Sequence, residues 1–109
     1  MATAYKVLGQ IAPAATTATA IYTVPSATEA VVSSVTICER AGVAATFRLS
    51  VRPDGATLAN QHYLVYDASV AANDTIILTI GITMDATDVL EAYASTGDVS
   101  FHAYGSEIS

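Results

Sequence analysis

The sequence predicts an all-β chain folded as a single antiparallel β-sandwich, jelly-roll or Ig-like, with about eight strands. Three observations carry that expectation. Short runs rich in Val, Ile, Thr and Tyr recur at intervals of roughly 8–14 residues. Turn-forming residues separate them, and nowhere do apolar residues repeat at the three-and-four spacing of an amphipathic helix. Alanine favours helix intrinsically, but here it is scattered among Thr, Val, Ser and Gly. Without crossover helices, short strands joined by tight turns pair as antiparallel neighbours in packed sheets.

The elements follow in order. Residues 4–9 form the first predicted strand. The connector 11–19, rich in Ala and Thr around Pro13, disfavours helix and reads as an extended amino-terminal arm or a long loop. Ile21-Tyr22-Thr23-Val24 is a β-branched and aromatic run that stops at Pro25-Ser26. Residues 29–39 are the longest Val- and Ile-rich run, closed by Arg40-Ala41-Gly42. The clearest alternation spans 46–52, with Phe47, Leu49 and Val51 on one face and Arg48, Ser50 and Arg52 on the other. A period of two predicts one buried side and one wet side. Pro53-Asp54-Gly55 then predicts a turn, because proline presets φ and glycine supplies a positive φ.

Further strands are predicted at 62–66, 75–80, 88–95 and 99–104. Between them lie the turns Ala72-Asn73-Asp74, Asp85-Ala86-Thr87 and Thr96-Gly97-Asp98, with room for one helical turn at 85–88. The lone Gly81 marks a bend or bulge. The predicted core is Val31, Val35, Ile37, Phe47, Leu49, Val51, Leu64, Ile76, Leu78, Ile80, Leu90, Val99 and Phe101, and it should be thin, since the chain has no Trp and two Phe.

Length and composition narrow the function. A chain of 109 residues with no break in composition is one domain over 1–109. It is 52% hydrophobic and 13% charged, against about 25% charged in ordinary soluble domains. So few charges leave apolar surface that favours association, and a homo-oligomer or assembly component is expected. A net charge of −6, with Lys6, Arg40, Arg48 and Arg52 the only Lys and Arg residues, argues against nucleic acid as a partner. Arg48 and Arg52 share a strand face as a solvated edge or an interface ion pair. Residues 76–82 are too short and too interrupted to span a bilayer. Residues 1–6 lack the basic start and apolar run of a secretory signal, so folding in a cytoplasm is expected.

The pattern holds no convergent chemistry, and no catalytic, metal or cofactor site is expected. Cys38 is the single cysteine, without a local signature that lowers its pKa, and reads as a small buried hydrophobe. His62 and His102 fall on different predicted strands. Asp54, Asp67, Asp74, Asp85, Asp88 and Asp98 mostly occupy turns, where a short carboxylate bonds nearby backbone N–H groups. Asp85-Ala86-Thr87-Asp88 offers oxygens to calcium but lacks the spacing of a helix-loop-helix calcium loop. The tyrosines are the softer signal. Tyr5, Tyr22, Tyr63, Tyr66, Tyr93 and Tyr104 combine an apolar body with a polar tip and suit a protein interface, together with Arg48 and Arg52. The alternative use of such tyrosines is stacking on the rings of a glycan.

Several blocks in a particular order also carry a resemblance. These are Tyr5-Lys6-Val7-Leu8-Gly9-Gln10, Ala12-Pro13-Ala14-Ala15-Thr16-Thr17, Ile21-Tyr22-Thr23-Val24-Pro25, Ala44-Ala45-Thr46-Phe47-Arg48, His62-Tyr63-Leu64-Val65-Tyr66-Asp67, Ala71-Ala72-Asn73-Asp74-Thr75, Asp88-Val89, Tyr93-Ala94-Ser95-Thr96 and Tyr104-Gly105. The series resembles a family of small virion structural proteins of tailed bacteriophages and covers nearly the whole chain. The resemblance implies a non-enzymatic subunit located in the virion, partnered by copies of itself and by other virion proteins. The first expectation is a tail, baseplate or fibre component, and the alternatives are a capsid decoration protein or a carbohydrate-binding module at a fibre tip.

Overall fold

The computed structural model describes residues 2–109; Met1 lies outside them. Nine strands follow one another: β1 (Thr3–Ile11), β2 (Thr19–Thr23), β3 (Glu29–Glu39), β4 (Ala45–Arg52), β5 (Tyr63–Val70), β6 (Thr75–Leu78), β7 (Ile82–Met84), β8 (Val89–Ala94) and β9 (Val99–Ile108). Two short 3-10 turns, Pro53–Gly55 and Asn60–His62, lie between β4 and β5. The strands form two antiparallel sheets. The front sheet runs β1-β9-β3-β6, with β7 also on β3, and the back sheet runs β2-β8-β4-β5. The chain crosses between sheets at every connection except β4 to β5 and β6 to β7. That double Greek-key order is a jelly roll, which decides between the two expected sandwiches.

One strand more than the expected eight arises because β6 and β7 are a single strand split in two. β6 pairs Thr75–Leu78 with residues 38–35 of β3, and β7 continues along the same edge, pairing Ile82 with Val32. Residues 79–81 face a shorter stretch of β3 and bulge out at Gly81, whose φ is +55°. The lone glycine therefore makes a bend, as its position suggested, but it divides the apolar run 76–82 rather than ending it.

That bulge belongs to a line of three. Val32 and Ser34 of β3 pair with the adjacent residues Gly105 and Tyr104 of β9, so Ser33 is an extra residue. Val7 and Gly9 of β1 pair with Tyr104 and Ala103, so Leu8 is extra as well. The irregularities lie side by side at the level of Tyr104 and crease the front sheet across its width, because a bulge bends its strand and sharpens the twist. The Ser33 hydroxyl donates to the Tyr104 carbonyl at 3.0 Å across the crease. An extra residue also reverses which side chains point inward. Ala30 and Val32 are buried on one side of Ser33, and Val35, Ile37 and Glu39 on the other. The predicted core member Val31 is consequently only half-buried.

The core lies between the sheets. Phe47 of β4 and Phe101 of β9, both fully buried, meet edge to face with ring centroids 6.2 Å apart. Small residues sit opposite large ones: Phe47 pairs with Ala94, Leu49 with Ala92, and Val35 with Ala103. Buried alanines let the sheets approach, and the molecule is only 20 Å along its shortest axis, about two layers at a 10 Å sheet spacing. Of the predicted core, Val35, Ile37, Phe47, Leu49, Leu90, Val99 and Phe101 are buried, while Val51, Ile76 and Leu78 are partly buried against it. Leu64 and Ile80 are exposed, because each sits at an irregularity: Leu64 is the unpaired residue between Tyr63 and Val65, and Ile80 lies in the break before β7.

The connector 12–18 is a loop carrying the chain from the front sheet to the back, which excludes the arm reading. Thr16 N–H donates to the Ala94 carbonyl at 2.8 Å and ties it down. The segment 85–88 is a tight turn without helix.

Two carboxylates fasten the loops at opposite ends. Glu39, 2% exposed, accepts backbone N–H bonds from Ala41 at 2.6 Å, Gly42 at 3.1 Å and Asn73 at 3.1 Å, joining the β3–β4 and β5–β6 connections. At the other end Asp88 accepts from Asp54 N–H and Asp85 N–H, both at 2.8 Å. Burial opposes the charge on Glu39, but the converging backbone donors outweigh it and hold the carboxyl below its ordinary value. A depressed folded pKa adds stability that is complete above the unfolded value and is lost as pH falls through the folded one. Glu39→Gln is therefore expected to lower the denaturation midpoint clearly at neutral pH, and the gap from wild type should close below the ordinary glutamate pKa. Urea titrations across the acid range check this; a gap that is constant with pH would show that ionisation of Glu39 contributes nothing.

Candidate functional site

The eight residues expected at an interface divide among three places. Tyr22 is inside: it is 8% exposed, and its hydroxyl donates to the Glu107 carboxylate on the facing sheet. Glu107 also accepts from Lys6, with Nζ and Oε1 2.6 Å apart. Burial, followed by the neighbouring carboxylate, pushes the Tyr22 phenol above its ordinary range, while Lys6 and Tyr22 hold Glu107 below its own. Tyr22 thus ties the two sheets together and is removed from the interface set. The register of β2 shifts between Ala20 and Tyr22, and both Ile21 and Tyr22 are buried, so plain alternation does not tell which of them faces inward.

Tyr5 and Tyr104 lie on the outer face of the front sheet. Together with Val7, Val31 and Ser106 they line a shallow, mostly apolar trough of about 490 Å³, close to the crease. Tyr5 is 85% exposed and Val7 48%. Beyond the crease on the same strand, His102 Nδ1 lies 3.0 Å from the Tyr104 hydroxyl and 3.2 Å from Gln10 Nε2.

The other five residues gather on the outer face of the back sheet. Alternation along β4 puts Arg48, Ser50 and Arg52 outward, and pairing sets Arg48 beside Tyr93 and Ser50 beside Glu91 of β8. On the other side β5 is bulged. Leu49 pairs with Val65 and Phe47 with Ala68, leaving both Tyr66 and Asp67 opposite Arg48, with Asp67 at φ 53°. The bulge thereby aims two side chains at one arginine. Arg48 Nε donates to Asp67 Oδ1 at 2.7 Å and Nη2 to Oδ2 at 3.2 Å, a fork-on-carboxylate pairing. Its guanidinium lies 4.2 Å from the centroids of both Tyr66 and Tyr93. Hydrogen bonding to Asp67 raises the Arg48 pKa further and depresses that of Asp67. Tyr63 packs edge-on against Tyr66 at 4.9 Å.

This outer face is not the wet side that the alternation predicted. Ser50 is 3% exposed and Glu91 8%. The loop 12–18 and the irregular segment between β4 and β5 fold over the sheet and leave a cavity of about 220 Å³ whose lining includes Arg48, Ser50, Leu58, Tyr63, Glu91 and Tyr93. Arg52 Nη1 donates to the Gly55 and Ala56 carbonyls at 3.1 and 2.9 Å and holds that segment. Arg52 Nε faces Glu91 Oε2 at 3.2 Å, yet both atoms are buried without an aligned hydrogen bond.

Arg48, Arg52, Tyr63, Tyr66 and Tyr93, expected from the sequence at a protein interface, share this face, and the structure adds Ser50, Leu58, Asp67 and Glu91 to them. Glu91 was within reach, since it shares the period-two face of Tyr93. Leu58 had no periodic signal, and Asp67 was taken for a turn residue because the bulge that uses it arises from pairing with β4.

The two histidines lie apart. His62 closes a 3-10 turn beside the back sheet, where its Nδ1 accepts from Ala59 N–H at 3.0 Å, whereas His102 is on the front sheet. Cys38 is half-buried rather than buried. Among the described residues no three His, Cys, Asp or Glu side chains group so as to hold a metal ion, and no helix is long and apolar enough to cross a membrane.

No protein-family model and no curated protein matches the chain. Among solved structures it is similar to two pentameric capsid proteins isolated from metagenomic phage sequences. The first is 21% identical at a TM-score of 0.36, the match covering 94% of this chain and 59% of the other. The second is 21% identical at a TM-score of 0.28, covering 94% of this chain and 66% of the other. The chain thus spans less than two thirds of either protein's length.

Proposed function

We propose that the protein is a non-enzymatic structural subunit of a tailed-phage virion that assembles with copies of itself and with other virion proteins. The observation that carries this reading is the outer face of the front sheet. An apolar trough edged by a tyrosine 85% exposed is costly to leave in water, and a chain with 13% charged residues has little means of compensating. Tyrosine on an exposed sheet face supplies contact area at low entropic cost, and symmetry multiplies a modest contact into a stable assembly. The order of sequence blocks that resembles small virion proteins supports the same reading, as does a fold-level analogy, since jelly rolls recur in viral capsids. Tail, baseplate or fibre attachment and head decoration place the same physical demand on the subunit.

Light scattering after size exclusion should find an oligomer, and the double variant Tyr5→Ser with Val7→Ser should dissociate it without changing the circular dichroism spectrum, its melting temperature falling to a value independent of protein concentration. Immunogold labelling of purified particles would then read the station, tail or head. A wild-type monomer at high concentration, together with unlabelled particles, would overturn the proposal.

A further inference from the structure

The cavity on the back sheet plays no part in the assembly proposed for the front sheet, and its chemistry differs. We propose that it is a binding site for a single neutral pyranose ring, with Glu91 and Ser50 bonding ring hydroxyls and Tyr63, Tyr93 and Leu58 packing on ring carbons.

Three features select this ligand class. At about 220 Å³ the cavity is smaller than the clefts of about 300–1,000 Å³ that take drug-sized ligands, so one ring is its measure. The charges on this face cancel. Arg48 and Glu91 are the two charged side chains in the cavity's lining, and each faces an opposite charge beside it, Asp67 and Arg52, so the wall carries no free charge to draw an ionic ligand. A sugar hydroxyl both donates and accepts, which suits a wall offering a carboxylate, a serine hydroxyl and arginine N–H groups within one ring's width.

The site is held before any ligand arrives. Arg48, clamped by Asp67 and by the rings of Tyr66 and Tyr93, fixes the position of Tyr93, and Arg52 holds the segment that carries Leu58 over the sheet. Side chains already ordered lose little freedom on binding. With one face of Tyr93 taken by Arg48 and few walls in all, millimolar affinity is expected.

Saturation-transfer NMR with the methyl glycosides of glucose, galactose and mannose and with N-acetylglucosamine tests the proposal, using lysine methyl ester and inorganic phosphate as charged comparators. Transfer from tyrosine protons to ring protons of at least one sugar is expected, weakened about tenfold or more by Tyr63→Ala and by Glu91→Gln. Ser50→Ala, which preserves shape, serves as a further variant should Glu91→Gln fail to fold. No transfer to any of the four sugars, transfer that survives these variants, or transfer to the charged probes alone would overturn it. The outcome is separate from the assembly test, since a monomer lacking a virion role would still bind the sugar.

Discussion

Phe101→Ala is expected to destabilise the protein by about 3–5 kcal/mol, the usual cost of deleting a buried aromatic ring. Phe101 is fully buried in the first half of β9 and meets Phe47 of the opposite sheet edge to face, so its loss opens a cavity between layers joined by strands on both sides. The core cannot easily close on it, because several of its members are alanines with no side chain to extend, Ala92, Ala94 and Ala103 among them. A domain of this size holds about 5–15 kcal/mol in total, so the variant should lie near the folding threshold. Guanidinium denaturation would measure the change. A loss below about 1 kcal/mol would mean that the sheets collapse onto the gap, contrary to a core held apart by strand pairing.

Gly105→Ala is expected to be at least as harmful, through the backbone rather than the core. A Cβ at this position would sit 1.9 Å from the Val31 carbonyl oxygen and 3.0 Å from the Val32 Cα. Both are main-chain atoms of the strand paired with it, so relief requires moving the bulge at Ser33 and with it the crease. Overpacking ordinarily costs about 1–3 kcal/mol where side chains can give way, and here none can. Gly97→Ala is the matched control, since its nearest neighbour would be the Ala15 backbone nitrogen at 3.9 Å, and it should change stability by less than about 0.5 kcal/mol. Thermal melts of the pair would show whether close approach, rather than loss of glycine as such, sets the cost; equal melting temperatures would refute it.

These two positions show what could be read from residues alone. Phe101 lies in a strand with regular alternation, and there the inward face was legible, as it was for Phe47 and Leu49 on β4. Gly105 is in no turn, and nothing local announces it, because its need arises from an extra residue on a strand seventy positions away in the chain. The same displacement moved Val31 out of the core and Val32 into it. Alanines in the core were invisible for a different reason: Ala92, Ala94 and Ala103 bury too little to stand out as hydrophobic anchors, and become meaningful only opposite Leu49, Phe47 and Val35. On the back sheet the gathering of Arg48 with the tyrosines followed from alternation. The covering of that face depended on the irregular segment between β4 and β5, which has no period to read.

The aligned bulges also govern how the molecule meets its own kind at high concentration. A straight strand edge is a template onto which further strands can add without limit, the route to fibrillar aggregates. Both margins of the front sheet, β1 and the β6–β7 line, are bent at the same height. An incoming strand would find only a few residues in register before the margin turns away from it. A chain this rich in β-branched residues can therefore leave two sheet margins open and still favour closed, side-chain-mediated contacts over endless stacking.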